Sequence, residues 1–125
     1  MSNYKLKSFV EMQLQSNCVR WFDKNYSIYK DFLISLPNGF NVHFGDIINK
    51  DLSDLGFKKD TPDLFLAINN HIYGGLFIEL VPVSERLRKK KYEYLCKLES
   101  NGYMVAIINN LDDFKHVIKD YLACL

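Results

Sequence analysis

Apolar residues recur along the chain at two different spacings, and the changes between them divide it into elements. From about Lys7 to Tyr26, Val10, Leu14, Cys18, Trp21 and Phe22 return every three or four positions, which predicts an amphipathic helix. Asp31 to Leu36 is a short apolar run ended by Pro37-Asn38-Gly39, a strand and then a turn. Asp46 to Leu55 has helical spacing with Gly56 in the stop position, and Phe57 to Pro62 reads as a loop. Asp63 to Ile68 and Gly75 to Val81 are strand-like runs, most simply joined as a hairpin through the six residues between them. Ser84 to Ser100 is a second long helix, with Ser84 or Glu85 at its cap and Asn101-Gly102 at its end. Tyr103 to Ile108 is a strand and Leu111 to Leu122 a last helix. The order, about α-β-α-β-β-α-β-α, predicts an α/β fold with a mixed central sheet flanked by helices. A chain of 125 residues suits one domain over 1–125.

Composition narrows the class. Apolar residues at 48% and charged residues at 25% are ordinary for a globular chain, which argues against a disordered one. No apolar run is long enough to span a bilayer, and Met1-Ser2-Asn3-Tyr4-Lys5 lacks a secretion signal, so an intracellular, cytoplasmic protein is expected. Cys18, Cys96 and Cys124 have no CxxC spacing and read as free thiols, with Cys18 and Cys96 packed in helices. His43, His71 and His116 show no zinc-ligand spacing. Sixteen basic residues nearly cancel fifteen acidic ones. Contact with nucleic acid would therefore need a local patch, and Arg86, Arg88, Lys89 and Lys90 supply the obvious one.

The informative residues are charges where the pattern calls for apolar side chains. Leu76-Phe77-Ile78-Glu79-Leu80-Val81 is apolar on both faces, like a buried central strand, and Glu79 is its single charge. A buried carboxylate needs a partner, either a metal or base at a site, or a backbone amide or arginine at a strand end. Asp63 opens the preceding strand and in a hairpin lies near Glu79. Two carboxylates together repel unless a cation sits between them, and hard oxygen donors suit magnesium. After Pro62, an aspartate is equally a common turn residue. Glu11 and Gln15, four apart, share one side of the first helix and border its apolar stripe. They could complete a metal shell, although solvent is the simpler place for them.

Taken in order, these residues resemble a known family. Glu11-x-x-x-Gln15, Pro37-Asn38-Gly39, Leu52-x-x-x-Gly56, Pro62-Asp63-Leu64-Phe65-Leu66, Gly75-Leu76-Phe77-Ile78-Glu79-Leu80 and Gly102-Tyr103 are similar to the VRR-NUC family, a branch of the PD-(D/E)XK nuclease superfamily. The similarity runs from about Phe9 to Leu122. It implies a restriction-endonuclease-like fold, with Glu11, Asp63 and Glu79 as the ligands of Mg2+ or Mn2+ and Gln15 beside them. It further implies cleavage of DNA rather than RNA, branched or flapped in some members, and a possible homodimer, as in stand-alone phage forms.

Three positions depart from the family pattern. Val81 stands where Glu-x-Lys has its catalytic lysine, on the same strand face as Glu79. Asp60 replaces a glycine before Pro62-Asp63. Phe40-Asn41-Val42-His43-Phe44 is apolar where the family is basic. Against these, Lys91 shares a helical stripe with Leu87, Tyr94 and Leu98, so it either supplies the missing cation from the helix or reaches past the stripe to solvent. Two functions follow. One is a metal-dependent endonuclease using Glu79, Lys91 and Gln15 in catalysis. The other is an inactive nuclease-fold binding module, such as a phage anti-CRISPR inhibitor that grips a host defence protein or its nucleic acid through Phe40, Val42 and Phe44.

Overall fold

The computed structural model describes residues 7–36 and 53–125. The first helix, α1, spans Phe9–Asn25, and its N-cap Ser8 accepts a 3.0 Å hydrogen bond from the Glu11 amide. The strand expected from Asp31 starts two residues later. Ser27–Phe32 winds instead into a 3-10 helix, and only Leu33–Ser35 is extended, as β1. The reason is packing: Tyr26 and Tyr29, three apart, both lie against the core, and the Tyr29 amide bonds the Tyr26 carbonyl at 2.8 Å.

Strands β2 (Leu64–Leu66), β3 (Leu76–Leu80) and β4 (Met104–Ile108) complete a four-stranded sheet in the order β1-β2-β3-β4. The first two pairings are antiparallel and the last is parallel, so the sheet is mixed. The β2–β3 hairpin and the mixed sheet match the sequence expectation, and β3 and β4 are joined by a parallel crossover. The crossover carries helix α2, Lys89–Ser100, and the chain continues through β4 into helix α3, Leu111–Leu122.

Helix α2 starts later than the sequence suggested. Ser84 and Glu85 do not cap it; Arg88 stands at the cap position and no side chain caps the helix there. The Glu85 amide closes a turn on the Pro82 carbonyl at 2.8 Å, and the Glu85 carboxylate is hydrogen-bonded by Ser8. Those bonds draw the segment away from helical geometry. In consequence Lys91 occupies the first turn of α2.

Strand alternation places the core. Leu64 pairs with Ile78 and Leu66 with Leu76, while Ile78 and Leu80 face Ala106 and Ile108. This face buries Cys18 and Phe22 of α1 together with Phe114, Ile118 and Tyr121 of α3. Burial pushes the Cys18 thiol up to about 12, so it behaves as a small apolar side chain. Cys96 differs from expectation: it is exposed on α2, because Leu95 is the residue that turns inward there.

The Pro37 turn, the Phe40, Val42 and Phe44 loop and most of the Asp46–Leu55 helix lie outside the described residues. Ser53 and Asp54 are helical, and Gly56 takes a φ of 95°, which only glycine adopts without strain.

On the opposite sheet face Phe65 and Phe77 stack with ring centroids 4.4 Å apart, and Tyr103 meets Phe77 edge-on at 5.1 Å. Gly75 makes room for this cluster. A Cβ there would sit 2.7 Å from Phe65 Cε1 and 3.3 Å from the Leu66 carbonyl. Gly75→Ala should therefore cost about 1–3 kcal/mol in a denaturant titration. An unchanged midpoint would show that the ring can move aside.

Candidate functional site

Asp63 directly precedes β2, and the register that pairs Leu64 with Ile78 sets it beside Glu79 of β3. Both carboxylates are buried, at 1% and 4% exposure. Backbone and side chains anchor Asp63. Its amide donates to the Ile78 carbonyl at 3.1 Å, its Oδ2 accepts from the Leu80 amide at 2.7 Å, and its Oδ1 lies 3.0 Å from Lys7 Nζ. Glu79 Oε2 lies 2.8 Å from Lys91 Nζ, whereas the buried Glu79 Oε1 has no hydrogen-bond partner among the described residues. An orphaned carboxylate oxygen of this kind is costly, and it marks a place for a further cation or donor.

Helix α1 closes the site from the side. Glu11 is half-buried and within reach of Glu85 and of the Asp63 charge. Gln15 Nε2 donates to Ser35 Oγ at 3.0 Å, and the Gln15 carbonyl accepts from Lys7. Both side chains are half-buried at the edge of the site, and both have polar partners there. The Ser8 cap turns the start of α1 toward the strands, so its first two turns border the carboxylates.

The electrostatics follow from this crowding. Burial raises the Glu79 carboxyl to about 8, the Asp63 charge adds to the rise, and Lys91 opposes it. Glu11 rises to about 7, chiefly through burial, then through its hydrogen bond with Glu85 and the charges of Asp63 and Glu85; Lys7 opposes this. Glu11, Asp63, Glu79 and Glu85 thus make four carboxyl groups gathered around two ammonium groups, Lys7 and Lys91. Two negative charges remain to be balanced, by protons or by an added cation.

Among the described residues no three His, Cys, Asp or Glu side chains already stand at metal-ligand spacing. The donor set nonetheless fits a hard divalent ion: carboxylate oxygens and one amide oxygen, with the orphaned Glu79 Oε1 among them. As positioned, Lys7 holds Asp63 Oδ1 and the Gln15 oxygen and Lys91 holds Glu79 Oε2, which leaves Glu79 Oε1 open.

Val81 continues β3 through a 2.8 Å bond from its amide to the Ile108 carbonyl and offers no polar group. The ammonium beside Glu79 comes from α2 instead. Arg86, Lys89 and Lys90 are exposed. Arg88 pairs with Asp60 at 3.0 Å, so that carboxylate is partly neutralised. Both groups are solvent-accessible, and the pair is worth about 0–1 kcal/mol.

The sequence pattern did not mark Lys7, Ser8 or Ser35, and it marked Glu85 only as a helix cap. Ser8 carried one local signal, Ser-x-x-Glu with Glu11 ahead of an apolar run. The others reach the site through contacts between distant segments, which periodicity does not encode.

These shifts set the pH response of the metal-free protein. Glu79 and Glu11 bind their protons more tightly folded than unfolded, so their contribution is fully present below pH 4.5. It is lost as pH rises through about 7 and 8. Stability measured by urea denaturation in chelator should fall between pH 5 and 9, and Glu79→Gln should flatten that fall. Parallel losses in both proteins would contradict the assignment.

No protein-family model and no curated protein matches the chain. Among solved structures, a protein described as a "VRR_NUC domain protein" superposes with a TM-score of 0.78 at 21% identity, over 95% of this chain and 93% of that one. At that identity the likeness is one of fold. The chain has the fold of that VRR_NUC domain protein.

Proposed function

We propose that this chain is a VRR-NUC-type endonuclease, dependent on a divalent metal and acting on structured nucleic acid, DNA rather than RNA. The observation that carries the reading is the 2.8 Å approach of Lys91 Nζ to Glu79 Oε2. It puts a cation beside the strand carboxylate although Val81 occupies the usual lysine position.

Glu11, Asp63 and Glu79, with Gln15 beside them, would hold magnesium or manganese. When bound, the ion supplies a Lewis acid that acidifies water and neutralises phosphate charge. The chain's own residues do the rest. Asp63 is held rigid by the Leu80 amide, and Glu79 by the central strand, so their oxygens need little reorganisation. Lys91 orients the attacking water and stabilises negative charge as it develops on the phosphate oxygens. Arg86, Arg88, Lys89 and Lys90 contact flanking phosphates, helped by the free amides at the start of α2, which has no acidic residue in its first turn.

A second reading is supported by Val81 and by Lys7, which already pairs with Asp63. In it the chain is an inactive nuclease-fold module that binds a host defence protein or its nucleic acid, as an anti-CRISPR inhibitor would.

The experiment is cleavage of branched, flapped and single-stranded DNA, with RNA in parallel, in Mg2+ or Mn2+. Glu79→Ala should abolish cutting. Lys91→Ala should lower its rate by about a hundredfold, the usual loss when one charge-stabilising group is removed. Cleavage that survives Glu79→Ala would come from another nuclease. No cutting of any substrate, with micromolar or tighter binding to a defence protein, would establish the second reading.

A further inference from the structure

We propose that the Lys7 ammonium is a built-in counter-cation seated among the oxygens a divalent ion would use, so that the segment preceding α1 sets the metal affinity of this centre. The inference rests on the metal-binding reading of the carboxylates and concerns a residue that reading does not assign.

The placement is specific. Lys7 Nζ lies 3.0 Å from Asp63 Oδ1 and donates to the Gln15 carbonyl oxygen, and its side chain is 15% exposed. It is also close enough to Glu11 for its charge to act there. Asp63 and Glu11 are two of the three carboxylates assigned to the ion, and Gln15 stands beside them. A single ammonium therefore sits among them as a monovalent stand-in.

It is an incomplete stand-in. One positive charge cannot balance this many carboxylates, and three N–H donors do not satisfy Glu79 Oε1. A divalent ion would bring one more positive charge than the ammonium it displaces and offer a partner to Glu79 Oε1, but only after Lys7 withdraws. Withdrawal is feasible because lysine carries its charge on a flexible four-carbon stem. Ser8 meanwhile stays fixed, through its cap bond to Glu11 and its bond to Glu85. The backbone entering α1 would hold its place while the side chain swings out.

Competition of this kind lowers apparent affinity in proportion to the time the centre is free. If Lys7 fills it for about nine-tenths of the time, its removal tightens ion binding about tenfold. Mn2+ titration by calorimetry on wild type, K7M and K7R is the direct test. K7M should bind about tenfold tighter, and K7R, which keeps the charge, should bind like wild type.

Wild-type binding that K7M leaves equal or weaker overturns the proposal and spares the metal reading. Absence of binding in all three folded proteins overturns both. A second readout needs no variant. Saturating Mg2+ should raise acylation of Lys7, mapped by mass spectrometry, several-fold in the wild-type protein. Unchanged labelling in protein that binds the ion would mean that Lys7 never leaves, and would overturn the proposal even if K7M does not fold.

Discussion

Two carboxylates side by side inside a sheet are the constraint that organises this molecule. Asp63, just before β2, and Glu79, on the neighbouring β3, are both nearly free of solvent. Burying even one uncompensated carboxylate costs several kcal/mol, and a neighbour of the same sign adds to that. The fold answers with an amide from Leu80, ammonium groups from Lys7 and Lys91, and a proton affinity for Glu79 raised well above the carboxylate range. Replacing both residues by apolar ones would remove all of these needs.

The rest of the architecture serves that placement. The antiparallel β2–β3 pairing fixes which residues oppose each other, and a slip of one position would turn Glu79 into the core. Gly75 lets Phe65 and Phe77 stack on the same strands, which holds the register. The parallel crossover from β3 to β4 delivers α2 beside Glu79, and its late start puts Lys91 in the first turn. Ser8 and Gln15 tie α1 to the site through Glu85 and Ser35. Glu79, Lys91 and Gln15 thus arrive on regular elements, where small displacements are resisted by packing.

Much of this was legible in the residues. The hairpin, the mixed sheet and the last helix follow from apolar spacing, and Glu79 stood out because nothing else charged occupies its run. The inward stripe of Leu87, Lys91, Tyr94 and Leu98 placed Lys91 on the correct side of α2, and all four are half-buried. The misses have physical causes. Tyr26 and Tyr29 drew part of an apparent strand into a 3-10 helix, and Ser8 drew Glu85 out of an apparent helix cap. The partners of Glu11 and Gln15, namely Glu85 and Ser35, are 74 and 20 positions away, which helical spacing does not reveal. Lys7 gave no pattern signal; its meaning is purely spatial.

The central claim is that Glu11, Asp63 and Glu79 share one cation. Crystals grown with Mn2+ and measured at a wavelength where manganese scatters anomalously would locate it. The account predicts one strong peak within bonding distance of Asp63 and Glu79 oxygens, with Lys7 displaced from Asp63. A fully occupied ion elsewhere, with Lys7 and Lys91 still clasping their carboxylates, would contradict it.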